Sequence, residues 1–483
     1  MERKPMSANV ILNGIRTMLY LVFPLFTFPY ISRVLSPEGV GQANYANSIT
    51  NYFVLIGGLG IASYAVREGA KKIGKKEEFN NFANEIWTIG IFSAMVAYIC
   101  LFVVLTFSTK LNPYRWLITI YSVQIMANAI GMEWILNVYE EYLYVTIRSF
   151  IFQIISLFLL YGFVKKPSDV YLYAIIQTIS TVGIGIVNHA YVRRKVKLKF
   201  VWSKNNFRHM PTILLIFSTT LATIIYVNLD TTMLGWIWGD EQVGYYTVAV
   251  KLYNIVKSLI NSIVTVYAVR LSCLYYQDKA GYKKTFKEVF QIIIGLTIPM
   301  AVGGCLLRNE IIMILGGEQY LKADISLVIL LVSLIFATMG NLFASGVLLV
   351  VKKEKYMFAA TLTGTVVNMI LNYVFIHKLK CTGAAVATLI TEIAVCTILL
   401  WFAAPHIKFR GFTGHVLKVV AVSVCFVPIV FGIGRLELSF WIDLILKLIV
   451  CVSVYASGLL VLKDEIAVNS VKQLAQMHKH RKM

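Results

Sequence analysis

The side chains able to do chemistry in this chain are a few charged, amide and phenol groups set in very apolar sequence. Arg16, Arg148, Lys251 and Lys257 supply cations, and Glu133, Asp230 and Glu392 supply acids. Around them polar groups recur at helical spacing. Asn9, Asn13, Arg16, Tyr20 and Thr27 share one helix face, and Asn44, Ser48 and Asn51 share another. Thr212, Thr219, Thr223 and Asp230 form a third stripe, and Thr247, Lys251, Asn254, Ser258 and Asn261 a fourth. Cations of this kind hold an anionic group. Amides, hydroxyls and tyrosines such as Tyr20, Tyr226 and Tyr253 hydrogen-bond an adaptable polar cargo. The seven histidines and seven cysteines lack metal or triad spacing, so no catalytic residue, metal site or cofactor is assigned. The chain reads as a non-enzyme.

The elements that position these groups are membrane spans. Hydrophobic residues make up 58% of the 483 and charged residues 14%, and about fourteen apolar stretches are each long enough to cross a bilayer. They lie near residues 9–34, 42–66, 84–106, 116–138, 142–164, 170–191, 210–235, 243–270, 287–307, 324–351, 355–377, 381–402, 415–433 and 440–462. Alternate loops sort by charge: one set, with the termini, holds about 29 of the 45 Lys and Arg, and the other about 9. This asymmetry puts both termini in the cytoplasm. It also explains the net charge of +21 as a topology and anionic-lipid signal, which excludes nucleic-acid binding as the main reading. The segment 1–20 reads as a first span, not as a cleaved signal.

An internal repeat organises the spans. A shift of about 203 residues lays the first two over the seventh and eighth. Glu38-Gly-Val-Gly41 then falls on Glu241-Gln-Val-Gly244, and the polar stripes come into register. The expected fold is an all-α polytopic membrane protein of about fourteen transmembrane helices. Residues 1–192 form an N-terminal six-helix lobe, 193–209 a basic cytoplasmic linker and 210–403 a pseudo-symmetric C-terminal six-helix lobe. Residues 404–462 add helices 13 and 14, and 463–483 are a cytoplasmic tail.

Polar stripes facing lipid are costly, so they are expected to line a wet cavity; interhelical hydrogen bonding is the alternative. Arg16 lies about 10 Å above the inner end of its helix, within reach of that cavity or, by snorkelling, of headgroups. Lys257, near mid-helix, has least room to snorkel. Asp230 is a partner for Lys251. Glu133 is within reach of Arg16 or Arg148, although the apolar neighbours of Arg148 equally suit headgroup anchoring. Glu392 sits near the centre of its span, where an acid must be paired, protonated or facing water. Lys418 and Lys447 read as interfacial. The run Gly69-Ala-Lys-Lys-Ile-Gly-Lys-Lys76 has the spacing of a phosphate-binding loop, but lacks its hydroxyl residue and follows a transmembrane helix, so it reads as a basic loop.

Ser32-Arg-Val-Leu-Ser-Pro-Glu-Gly-Val-Gly41, Gly58-Leu-Gly-Ile and Tyr64-Ala-Val-Arg-Glu68 resemble the opening of bacterial Wzx-type polysaccharide flippases. So do Glu133-Trp134, Thr146-Ile-Arg148, Lys166-Pro-Ser-Asp169, Leu229-Asp-Thr-Thr-Met-Leu-Gly235, Val243-Gly-Tyr-Tyr246, Gly383-Ala-Ala and Thr391-Glu392. These belong to the superfamily that also holds multidrug exporters and the lipid II flippase. The resemblance implies a polyprenyl-diphosphate-linked oligosaccharide moved from inner to outer leaflet of the bacterial cytoplasmic membrane, with two lobes rocking about a central cavity. It also implies that helices 13 and 14 shelter the lipid tail. Asn13, Arg16, Tyr20, Asn51, Arg148, Tyr226, Lys251, Asn254 and Lys257 are the expected substrate-binding residues. Glu133, Asp230 and Glu392 balance charge or couple an ion. The expected partners are the lipid-linked oligosaccharide and membrane lipids, with a polysaccharide polymerase and glycosyltransferases as candidates, and the chain is expected to be monomeric. The rivals are a cation-coupled multidrug exporter of the same superfamily and a non-transporting scaffold of a polysaccharide-synthesis complex.

Overall fold

Helices are the only regular elements among the described residues, which in this computed structural model are 6–407 and 412–468. In a bilayer each backbone amide must be bonded within its own segment, which the helix achieves. Eleven described helices are long and apolar enough to cross a membrane. Two of them are each a pair of spans joined across a single sharp break. A further crossing is a helix of 17 residues, which gives about fourteen in all.

Contacts divide the chain into two units, Met1–Thr247 with Leu315–Gln319, and Val248–Ile314 with Tyr320–Met483. The first holds α1 (Met6–Gly58), α2 (Ile61–Ala70), α3 (Lys76–Phe107), α4 (Arg115–Gly131), α5 (Glu133–Val138), α6 (Tyr142–Phe163), α7 (Val170–Val192), α8 (Lys204–Phe207), α9 (Met210–Trp238) and the start of α10 (Asp240–Gln277). The rest of α10 belongs to the second, with α11 (Lys279–Leu306), α12 (Arg308–Leu315), α13 (Asp324–Phe343), α14 (Glu354–Ala403), α15 (Thr413–Val424), α16 (Phe426–Gly434) and α17 (Phe440–Val461).

The expected loop between the first two spans shrinks to one residue. Ser36 adopts φ 61° and ψ 170° inside α1, an unfavourable region for a side chain. Pro37 follows it, disfavouring helical geometry at residue 36 while suiting the first turn of the next helix. A Cβ on Gly41 would lie 1.8 Å from the Asp240 carbonyl oxygen, and one on Gly244 would lie 2.0 Å from the Pro37 carbonyl oxygen. Pro37 and Asp240, like Gly41 and Gly244, are related by the same shift of about 203 residues. The two copies of the repeat therefore touch through equivalent backbone points, and only glycine permits that approach. Lys380, at φ 56°, breaks α14 in the same manner.

In the first unit an aromatic and aliphatic cluster, including Tyr64, Phe79, Phe82, Ile86, Trp134 and Ile135, joins α2, α3 and α5. In the second, α15–α17 are fastened to α11 and α12. Lys447 is buried between Glu310 (2.9 Å) and Asp443 (2.6 Å), so it is not the interfacial lysine expected from sequence. The His415 ring bridges the Asp464 carboxylate (2.7 Å) and the Gln291 carbonyl (2.9 Å), and the Tyr455 hydroxyl donates to the Gly295 carbonyl. Lys418 stays partly exposed, donating to the Lys463 carbonyl.

Candidate functional site

In the first unit the structure gathers Arg16, Glu133 and Arg148 from three helices. The chain ends α4 by turning left-handed at Met132 (φ 43°, ψ 42°), and Glu133 opens α5. An acid in a first helical turn meets the positive end of the helix dipole. Arg16 Nη2 donates to one Glu133 oxygen at 2.6 Å, and Arg148 Nη2 to the other at 3.1 Å. Arg148 is 3% exposed, and its Nη1 donates to Asn188 Oδ1. Headgroup anchoring, one reading of Arg148 from sequence, does not fit that burial.

Close packing of α4 on α7 makes this reach possible. A Cβ on Gly185 would lie 2.7 Å from the Ala127 carbonyl oxygen, so the helices approach through small residues. Asn188, one turn later, is thereby brought under the guanidinium. A single carboxylate here faces two guanidiniums. Arg148 also bonds the neutral Asn188 amide and the Ser149 hydroxyl, and guanidiniums held in this way are groups that can bind an anion. Glu133 is one-third exposed and lines a cavity of about 490 Å³, together with Ser63, Trp87, Asn128, Trp134 and Thr220.

In the second unit Lys257, Tyr253 and Glu392 close a small ring. Lys257 Nζ lies 2.8 Å from Glu392 Oε1 and 3.1 Å from the Tyr253 hydroxyl, which donates to the same Glu392 oxygen at 3.1 Å. Tyr253 and Lys257 are four residues apart and so share a face of α10. Glu392, 8% exposed, is paired.

The other expected site residues have these surroundings. Asp230 accepts from the Tyr246 hydroxyl at 2.5 Å. Asn51 donates to Asn228 Oδ1 at 3.2 Å, and Ser48 and Tyr52 both meet the Thr232 hydroxyl, so this stripe stitches α1 to α9. Thr219 and Thr223 bond their own helix backbone. Tyr226 and Lys251 are half-buried and Asn254 is exposed. The side chains of Asn13 and Tyr20 lie outside the described residues.

Sequence reasoning missed Asn188 and Tyr246, whose partners are remote in sequence or on a different helix. It also missed a buried cluster in which the His209 ring joins the Tyr64 hydroxyl (2.6 Å) to the Glu85 carboxylate (2.8 Å), with Arg208 on the same oxygen (3.0 Å). No spacing rule links residues 64, 85 and 209.

Residues 6–268 match the model of the family described as polysaccharide biosynthesis protein. A curated relative from Escherichia coli K12, named "Putative O-antigen transporter", is 24% identical over 409 residues, which cover 82% of this chain and 95% of the relative. The fold is similar to that of the lipid II flippase MurJ in an inward closed conformation (TM-score 0.75, 18% identity, 93% of this chain and 99% of that one). It is also similar to an inward-facing multidrug transporter of the MATE family (TM-score 0.62, 12% identity, 86% and 98%). A multi-pass helical chain whose family match covers more than half its length thus belongs to the polysaccharide biosynthesis protein family.

Proposed function

We propose that the protein flips a polyprenyl-diphosphate-linked oligosaccharide from the inner to the outer leaflet of the bacterial cytoplasmic membrane, by alternating access and with both termini cytoplasmic. The observation that carries this reading is the Arg16–Glu133–Arg148 cluster, whose carboxylate forms part of a cavity wall. In the empty state Glu133 occupies both guanidiniums and keeps them in place. An arriving diphosphate competes for them, and Ser63, Asn128 and Thr220 in the largely apolar wall receive the first sugars while the polyprenyl chain stays in lipid. Lys257 and Lys251 are the further cations assigned to the anion, and Glu392 and Asp230 balance or couple charge. Two negative charges leaving a negative interior gain about 4–5 kcal/mol per 100 mV, which favours export without ATP.

The test is leaflet transfer of lipid-linked glycan in vesicles holding the purified protein. Arg16→Gln and Arg148→Gln are expected to slow transfer by at least about tenfold while folded protein is retained. Full transfer by both variants would overturn the site assignment. Proton-driven export of a soluble cation, with no glycan transfer by the parent protein, would establish the multidrug-exporter rival instead.

A further inference from the structure

A second cavity, of about 220 Å³, lies in the first unit where the 193–209 segment leads into α9. Its wall is Ile56 of α1 and Leu59 just past its end, Ile89, Phe92 and Val96 of α3, and Trp202, Phe207, Met210 and Leu214 beyond them. The two polar residues in that wall are already satisfied. Ser93 donates to the Gly57 carbonyl at 2.6 Å. Asn206 donates to the Val201 carbonyl and accepts from the Ser203 amide and hydroxyl. The groove therefore offers hydrocarbon contact and no hydrogen bond, which suits an acyl chain.

One end of this groove is strongly basic. Residues 193–209 carry seven Lys and Arg and no acid. Arg193, Arg194, Lys197 and Lys199 are exposed. The acids that face the segment are internally used: Glu141 pairs with Lys195, and Glu85 with Arg208 and His209. Backbone bonds fix the register of the charged end on the apolar end. The Lys199 amide donates to Asn84 Oδ1 at 2.9 Å and the Val201 amide to Thr88 Oγ1 at 3.0 Å. From Asn84 the same helix runs on to Val96, about 18 Å at 1.5 Å per residue, so the cations stand at the head of an apolar slot that points into the span. The groove's own wall on this helix, Ile89 to Val96, covers about 10 Å of the roughly 15 Å of hydrocarbon in one leaflet.

We propose that this groove is a binding site for an anionic phospholipid of the surrounding bilayer, one acyl chain lying along α3 and Trp202 and the phosphate meeting Lys197 and Lys199. The site is separate from the cavity at Glu133 and does not depend on what is transported.

The experiment uses the full chain in lipid–detergent micelles, with phosphatidylglycerol or phosphatidylcholine carrying brominated acyl chains as quenchers. Trp202 emission is taken as the difference between the parent protein and Trp202→Phe. Brominated phosphatidylglycerol is expected to quench Trp202 at a concentration at least about fivefold lower than brominated phosphatidylcholine. The surface variant Lys197→Gln/Lys199→Gln is expected to remove that preference and keep the quenching by phosphatidylcholine. Equal quenching by the two lipids, absence of quenching by both, or a preference unchanged in the double variant would each overturn the proposal. Relief of quenching by polyprenyl phosphate at lower concentration than by unbrominated phosphatidylglycerol would also overturn it, by assigning the groove to the carrier lipid.

Discussion

Gly41 and Gly244 each lie against the backbone of the other copy of the repeat, one on the Asp240 carbonyl and the other on the Pro37 carbonyl. Reciprocal contacts of this kind are what a duplicated helix pair makes when it packs on itself about a local two-fold. Gly41→Val or Gly244→Val places a side chain where a carbonyl oxygen stands, so the backbones must separate. Each is expected to cost about 2–4 kcal/mol, read as a lower melting temperature of the purified protein. Gly74→Val, in open space, is the control and should melt as the parent does.

Arg148 is the buried member of the cationic cluster, and its planar guanidinium serves Glu133 and Asn188 at once. Arg148→Lys keeps the charge and loses the fork. It should therefore behave like a loss of function in glycan transfer, not like the parent. Glu133→Gln removes the anion that faces both arginines and is expected to destabilise by about 2–4 kcal/mol. Thermal unfolding with and without an added soluble diphosphate checks this, since the anion should recover part of the lost stability.

Lys257 and Glu392 make a nearly enclosed pair, and the cost of breaking it differs from the cost of deleting it. Lys257→Met strands the Glu392 carboxylate, and Glu392→Gln strands the ammonium. Either alone should lower stability by about 3 kcal/mol, and the double variant should be closer to the parent. Additive losses in that cycle would show that the two side chains act independently.

His415 and Lys447 hold the helices after residue 412 to α11 and α12. Asp464→Asn with Lys447→Met is expected to raise proteolytic nicking between α14 and α15 several-fold, while α1–α7 remain protected. Limited proteolysis followed by mass spectrometry of the fragments measures this.

The spans are legible in the sequence because they rest on a local signal, apolar length, whereas the turns at Ser36 and Lys380 shrink to a single residue each, which apolar length does not foretell. The sequence offers Arg16 or Arg148 as the partner of Glu133, and the structure gives it both. The partners that complete the cluster are not legible there. Asn188 reaches Arg148 only because Gly185 lets α7 approach Ala127, and helix approach distance leaves no periodic trace in sequence. Lys447 misled for a related reason. Its position near a helix end fits an anchor, and its acids, Glu310 and Asp443, identify themselves only once α12 and α17 are packed. The stripe from Asn44 to Asn51 had two readings from composition, and hydrogen bonds to Asn228 and Thr232 favour stitching for Ser48 and Asn51.

The helices after residue 412 are moored at two points along α17, by Lys447 on Glu310 of α12 and through Asp464 just past its finish. A rod clamped at two points cannot swing as a flap. Clamped in this way, it is expected to move with α11 and α12 as one piece.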